Sequence, residues 1–138
     1  MKKWERLPHT ADIQIRVYGD TVKELFECSL QAMFEVLGPI RRHEKKESMV
    51  EHSFHIMAHD AESLMVDFLS EALYLSEKHG ESYDLCVIDI FRPWEILARV
   101  RGFAIEGFES GEIKAVTYHQ LKVIERDGLW QADIVFDV

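Results

Sequence analysis

Two aspartates near opposite ends of the chain are the residues best suited to do chemistry. Asp12 opens the first alternating apolar segment, and Asp137 is the penultimate residue, followed by the carboxylate of Val138. If those segments meet, three oxygen donors converge, a set that hard cations such as Ca²⁺ or Mg²⁺ accept while keeping positions for water or a partner's oxygen. Parity alone supports a simpler role, in which both acids are outward charges that discourage edge pairing. Among the seven histidines, His52, His55 and His59 are close in sequence. On a strand, however, His55 and His59 share a face that His52 does not, so they assemble no three-ligand site locally. Cys28 and Cys86 lack Cys-x-x-Cys spacing and are expected as buried thiols. No phosphate-cradling Gly-rich loop, nucleophile elbow or His-Glu-x-x-His motif occurs, so nucleotide-hydrolysing and zinc-protease mechanisms lose support.

These residues need elements to hold them. Asp12 to Tyr18 alternates Ile13, Ile15 and Val17 with polar residues, the period of a half-buried strand. Thr21-Val-Lys-Glu24 reads as a capping box, and Val22, Leu25, Phe26, Leu30, Met33, Phe34 and Leu37 recur at helical spacing until Gly38-Pro39. A second strand is expected over Met49 to Ala58. Asp60 then caps a helix from Ala61 to His79, closed by Gly80. Strands follow over Tyr83 to Phe91, whose apolar run predicts cover on both faces, and over Glu95 to Ile105. The segment Ile113 to Glu125 changes phase near His119 and Gln120, which predicts a bulge or break. Arg126-Asp-Gly-Leu129 marks a tight hairpin before a last strand with Trp130, Ala132, Ile134 and Phe136 inward. The order predicts an α+β fold, a two-layer sandwich with two long helices on one face of a largely antiparallel mixed sheet.

The composition agrees with a single domain over residues 1–138. A chain of 138 residues buries about two-thirds of its unfolded surface in one core, and 47% hydrophobic with 30% charged residues is ordinary for a globular protein. The net charge of −9 repels phosphate backbones and anionic lipids, so strong direct nucleic-acid or membrane binding is not expected. The basic run Arg41-Arg-His-Glu-Lys-Lys-Glu47 reads as a solvated loop. No signal-like or membrane-spanning run is evident, and a cytoplasmic location is expected.

Three segments in order, His9-Thr-Ala-Asp-Ile13, Ile113-Lys-Ala-Val-Thr-Tyr-His119 and Phe136-Asp-Val138, resemble the archease family across essentially the whole chain. The resemblance implies a small accessory protein of the RtcB-type tRNA-splicing ligase, an enzyme that joins RNA ends with GTP and Mn²⁺. The accessory protein would promote guanylylation and multiple turnover of the ligase without catalysis of its own. Family members are also linked to chaperoning a tRNA methyltransferase. Carried over by motif, a metal site assigned to Ca²⁺ falls on Asp12, Asp137 and Val138, and the residues of ligase activation are Asp12, Lys114 and Asp137. His9, Thr10 and His119 belong to the same motifs and would pack or hydrogen-bond around that site. The resemblance thereby replaces the outward-charge reading of Asp12 and Asp137. A small metal-dependent phosphohydrolase is the catalytic alternative, weakened by its few ligands.

Overall fold

A computed structural model describes residues 3–8, 12–42 and 49–138. Along the chain run β1 (Trp4–Leu7), β2 (Ile13–Gly19), α1 (Val22–Leu37), β3 (Pro39–Arg41), β4 (Val50–Met57) and α2 (Ala61–His79). They are followed by β5 (Glu81–Arg92), β6 (Glu95–Phe108), β7 (Ala115–Thr117), β8 (Ile124–Arg126) and β9 (Leu129–Asp137).

Both helices begin and end where their capping residues stand. The Thr21 hydroxyl accepts from the Glu24 N–H at 3.0 Å, and the Glu24 carboxylate accepts in turn from the Asp20 N–H at 2.9 Å. Gly38 closes α1 in the left-handed region at φ 70°. Asp60 caps α2 by accepting from the Ser63 N–H at 2.8 Å, and the Gly80 N–H donates to the Ser76 carbonyl at 2.8 Å. The first four N–H groups and last four carbonyls of a helix lack intrahelical partners, and these residues satisfy some of them.

The α+β class, the two helices and the antiparallel pairing agree with expectation, but the strands divide into two sheets rather than one. The first has the order β1-β2-β9-β7, with β8 also on β9. In the second, β6 pairs with β3, β4 and β5. Every pairing among the described strands is antiparallel, so no mixed sheet forms. The helix α1 packs against β2 of one sheet and β5 of the other, and α2 contacts β4, β5 and β7. One hydrophobic core results, in which Ile15, Val17, Ile134 and Phe136 meet Phe26, Phe34, Leu64 and Phe68. The Phe68 ring lies 5.8 Å from Phe26 and 5.7 Å from Phe54, tying both helices to the second sheet.

The expected two-sided burial of the Tyr83 to Phe91 strand is not found. Its register with β6 shifts between Tyr83 and Leu85, which turns Cys86 and Ile88 inward and leaves Leu85 exposed, and again between Ile88 and Ile90, which turns Phe91 towards the core and leaves Ile90 exposed. The far edge of β5 is covered by side chains. Gln31 Oε1 accepts from the Cys86 N–H at 3.0 Å and Glu27 Oε2 from the Ile88 N–H at 2.8 Å.

Candidate functional site

The strands β2 and β9 form the ribbon that carries both candidate aspartates. Their antiparallel register runs from Ile13 opposite Phe136 to Gly19 opposite Trp130. It is fixed on one face by the alternating inward residues Ile13, Ile15 and Val17 against Ala132, Ile134 and Phe136. On the other face Arg16, directly opposite Asp133, makes a bidentate pair with it at 2.8 and 3.0 Å. That pair holds the guanidinium charge more firmly than usual, chiefly through the hydrogen bond itself.

Asp12 precedes the Ile13–Phe136 pair by one residue and Asp137 follows it by one. The two aspartates therefore stand at the same end of the ribbon. On the other side of β9, Ala115 of β7 lies opposite Asp137, and the Lys114 N–H donates to the Asp137 carbonyl at 2.7 Å. Asp12, Lys114, Asp137 and Val138, from three segments far apart in sequence, are thus gathered at one end of the first sheet. Asp12 is half-buried, whereas Lys114, Asp137 and Val138 are exposed and open to a partner. Among the described residues the Lys114 ammonium makes no ion pair.

His119 is placed differently. The strand β7 runs away from Asp137, and His119 lies two residues past its end, where its N–H donates to Thr117 Oγ1 at 3.2 Å. The turn there, with Gln120 at φ 55° and the Leu121 N–H on the Tyr118 carbonyl at 3.1 Å, is the break that the change of phase predicts. It swings Leu121 into the core. His9 and Thr10, like most of the basic run after Arg42, lie outside the described residues.

Among the described residues no group of three His, Cys, Asp or Glu side chains is placed to hold a metal ion. The gathered set differs in kind, with two side-chain carboxylates, Asp12 and Asp137, at one end of the sheet and Val138 directly after Asp137. Oxygen-only donors fit a hard cation such as Ca²⁺ better than zinc or copper.

Two neighbourhoods had no sequence signal. His52 Nε2 lies 2.7 Å from Glu81 Oε1, which also accepts from the Tyr83 hydroxyl at 2.8 Å, and the His52 ring stacks on His79 at 4.4 Å. Burial and the neighbouring Glu81 carboxylate push the Tyr83 phenol above its ordinary range, so it serves here as a donor. The second is a cleft of about 550 Å³ between α2, the end of β6 and residues 111–116, with Lys114 on its lining. Pairings between residues so distant in sequence leave no local periodicity to read.

A family model described as "Archease protein family (MTH1598/TM1083)" matches residues 4–138. The protein archease of Pyrococcus furiosus is 40% identical over 147 residues, with 100% of each chain covered. That of Methanosarcina mazei is 40% identical over 149 residues, covering 99% of this chain and 97% of its own. Among solved structures, the solution structure of Methanobacterium thermoautotrophicum protein 1598 superposes with a TM-score of 0.70 at 28% identity, covering 100% of both chains. The crystal structure of an archease from Thermotoga maritima, described as a possible chaperone, shares the fold with a TM-score of 0.66 at 23% identity, covering 97% of this chain and 96% of that one.

Proposed function

Because the chain belongs to the archease family, we propose that it activates an RtcB-type tRNA-splicing RNA ligase in the cytoplasm, promoting the ligase's guanylylation and repeated turnover without performing ligation itself. The observation that carries this reading is the gathering of Asp12, Lys114, Asp137 and Val138 at one end of the β2–β9–β7 ribbon. In this reading GTP and Mn²⁺ belong to the ligase, and the chain brings charge of fixed sign to the ligase's catalytic centre.

Asp12, Asp137 and Val138 would hold a divalent cation, with Ca²⁺ the best match to their oxygens. When bound, that ion would supply fixed positive charge among these oxygens. The Lys114 ammonium, tied through its own backbone to Asp137, neutralises a phosphate of the partner's nucleotide or steadies a carboxylate. Activation follows if these groups bind one state of the ligase, or its transition state, more tightly than another. The acidic surface suits a partner with a basic RNA channel.

The test mixes the purified chain with its cognate ligase, GTP, Mn²⁺ and cleaved tRNA, and follows guanylylation and ligation past one turnover. Wild type should stimulate both, and Asp137→Ala should keep its melting profile and lose the stimulation. Equal stimulation by the variant would remove the carboxylate end from the reading. Phosphate release from phosphorylated substrates by the chain alone, abolished by a chelator, would replace it with hydrolysis.

A second reading, chaperoning of a tRNA methyltransferase, draws on exposed apolar side chains away from that end. Met57 and Trp94 are 61% and 51% exposed, and the backbone following Met57 bonds to Trp94 through the Ala58 N–H at 3.1 Å. That role should tolerate loss of the Lys114 charge.

A further inference from the structure

The cleft beside the carboxylate end has the form of a binding site. Along α2, Ser70, Leu73, Tyr74 and Glu77 recur at three and four residues and line it, while the buried stripe of the same helix, Leu64, Phe68 and Ala72, faces the core. The helix thus shows a second face to an opening of about 550 Å³, within the roughly 300–1,000 Å³ of pockets that bury a ligand. Leu73, Ile105, Phe108 and Ile113 supply the apolar part of its lining.

The charge around it is mostly acidic. Glu77, Glu106 and Glu112 line the cleft, and among the described residues none of their carboxylates is in an ion pair. Among the described residues Lys114 is the one lining cation, and Lys78, one turn beyond Tyr74 on α2, holds its ammonium 5.7 Å from the Tyr74 ring. That ring is 54% exposed and already takes a cation near its face.

Gly107 gives the most specific indication. Gly80 and Gly111, also on the lining, have φ of 67° and 85° and are glycine for backbone reasons. Gly107 has no positive φ, and a Cβ built on it would meet no atom within 4 Å. A side chain at this position would stand in open space on the lining of the cleft.

We propose that this cleft is a docking socket for a protein segment that carries an arginine or lysine beside an apolar residue. The apolar side chain lies against Leu73, Ile105 and Ile113, and the cation reaches Glu77, Glu112 and the Tyr74 ring. Acidic peptides are repelled by the same carboxylates. Four consecutive residues of β6, Ile105 to Phe108, and the exposed Tyr74 line the cleft, an arrangement that suits an extended segment better than an enclosed small molecule.

The test titrates the full ¹⁵N-labelled chain with the peptides N-acetyl-Leu-Arg-Leu-amide and N-acetyl-Leu-Glu-Leu-amide, and with n-butylguanidinium. The arginine peptide should give saturable shifts at the amides of Leu73, Tyr74, Gly107 and Ile113, and the glutamate peptide none. Gly107→Val, which fills the opening and suits a strand, should keep the remaining spectrum and lose the binding. Glu77→Lys combined with Glu112→Lys should also lose it. No saturable shift with the arginine peptide, equal binding of the glutamate peptide, or binding retained by Gly107→Val overturns the proposal. Equal binding by n-butylguanidinium would assign a small cation instead and likewise overturn it. No arm contains a ligase, so a failure of the ligase reading leaves these outcomes separately legible.

Discussion

Whether a side chain can react depends first on what surrounds it. Burial pushes the Cys86 thiol up to about 12, so the native thiol stays protonated and inert at neutral pH. Iodoacetamide at pH 8 should leave Cys86 unmodified in the folded chain and label it after unfolding in urea, read by mass spectrometry; rapid labelling of the native protein would contradict the burial. Lys114 is the opposite case, an exposed cation with its main chain fixed. If its role is charge, Lys114→Ala should lower ligase stimulation at least about tenfold, a difference of about 1.4 kcal/mol. Lys114→Arg should restore part of it, and unchanged turnover with Lys114→Ala would remove the residue from the site. The sequence left the relation of Asp12 and Asp137 open, because parity assigns a face but not a neighbour. Only the pairing of Ile13 with Phe136 brings them to one end. Lys114 came solely from the motif resemblance, since nothing in its spacing distinguishes it from other surface lysines. Gly107 could not be singled out without knowing that the space beside it is empty.

At the scale of elements, both helices were legible to within a residue because their signals are local: a side-chain oxygen before the first turn, a stripe at three and four, a glycine after the last. The strands β1 and β3 were not anticipated. Trp4–Leu7 and Pro39–Arg41 are too short to show alternation, and they are strands only because β2 and β6 offer them an edge. The division into two sheets was equally hidden, for periodicity reports which face is buried and never which strand is adjacent. Two glycines measure the difference between local and pairing constraints. Gly80 has a left-handed backbone but open space around it, so Gly80→Ala should cost about 1 kcal/mol. At Gly102 a Cβ would stand 1.7 Å from the Ser82 carbonyl oxygen of the paired strand. Gly102→Ala must push β5 off β6 and should cost about 3 kcal/mol or more, or prevent folding. Urea midpoints of the two variants give the comparison, and similar values would refute it.

For the whole molecule, the pH limits of stability follow from the groups that differ between folded and unfolded chains. Glu24 beside Lys3, Asp60 on the Ser63 N–H, Asp89 beside Arg99 and Glu95 beside His55 and Arg92 are all held below their ordinary values of 4.5 for Glu and 3.8 for Asp. Lowered acids stabilise fully above those values and lose their contribution as pH falls through the folded ones. The raised Cys86 works from the other side, contributing fully below 9.0 and losing that as pH climbs towards 12. The urea midpoint should therefore be flat between about pH 5 and 8, fall in acid, and fall again in alkali, with Cys86→Ala blunting the alkaline decline. A maximum in the acid range would refute the assignment of the four carboxylates. The covered edge of β5 has its own consequence for motion. The Cys86 and Ile88 amides lie on the side of that strand with no neighbouring strand among the described residues, yet Gln31 and Glu27 hold them. Their exchange with deuterium thus becomes a clock for α1 lifting from the sheets, and Gln31→Ala should speed the Cys86 clock while leaving the amides between β2 and β9 at their original pace.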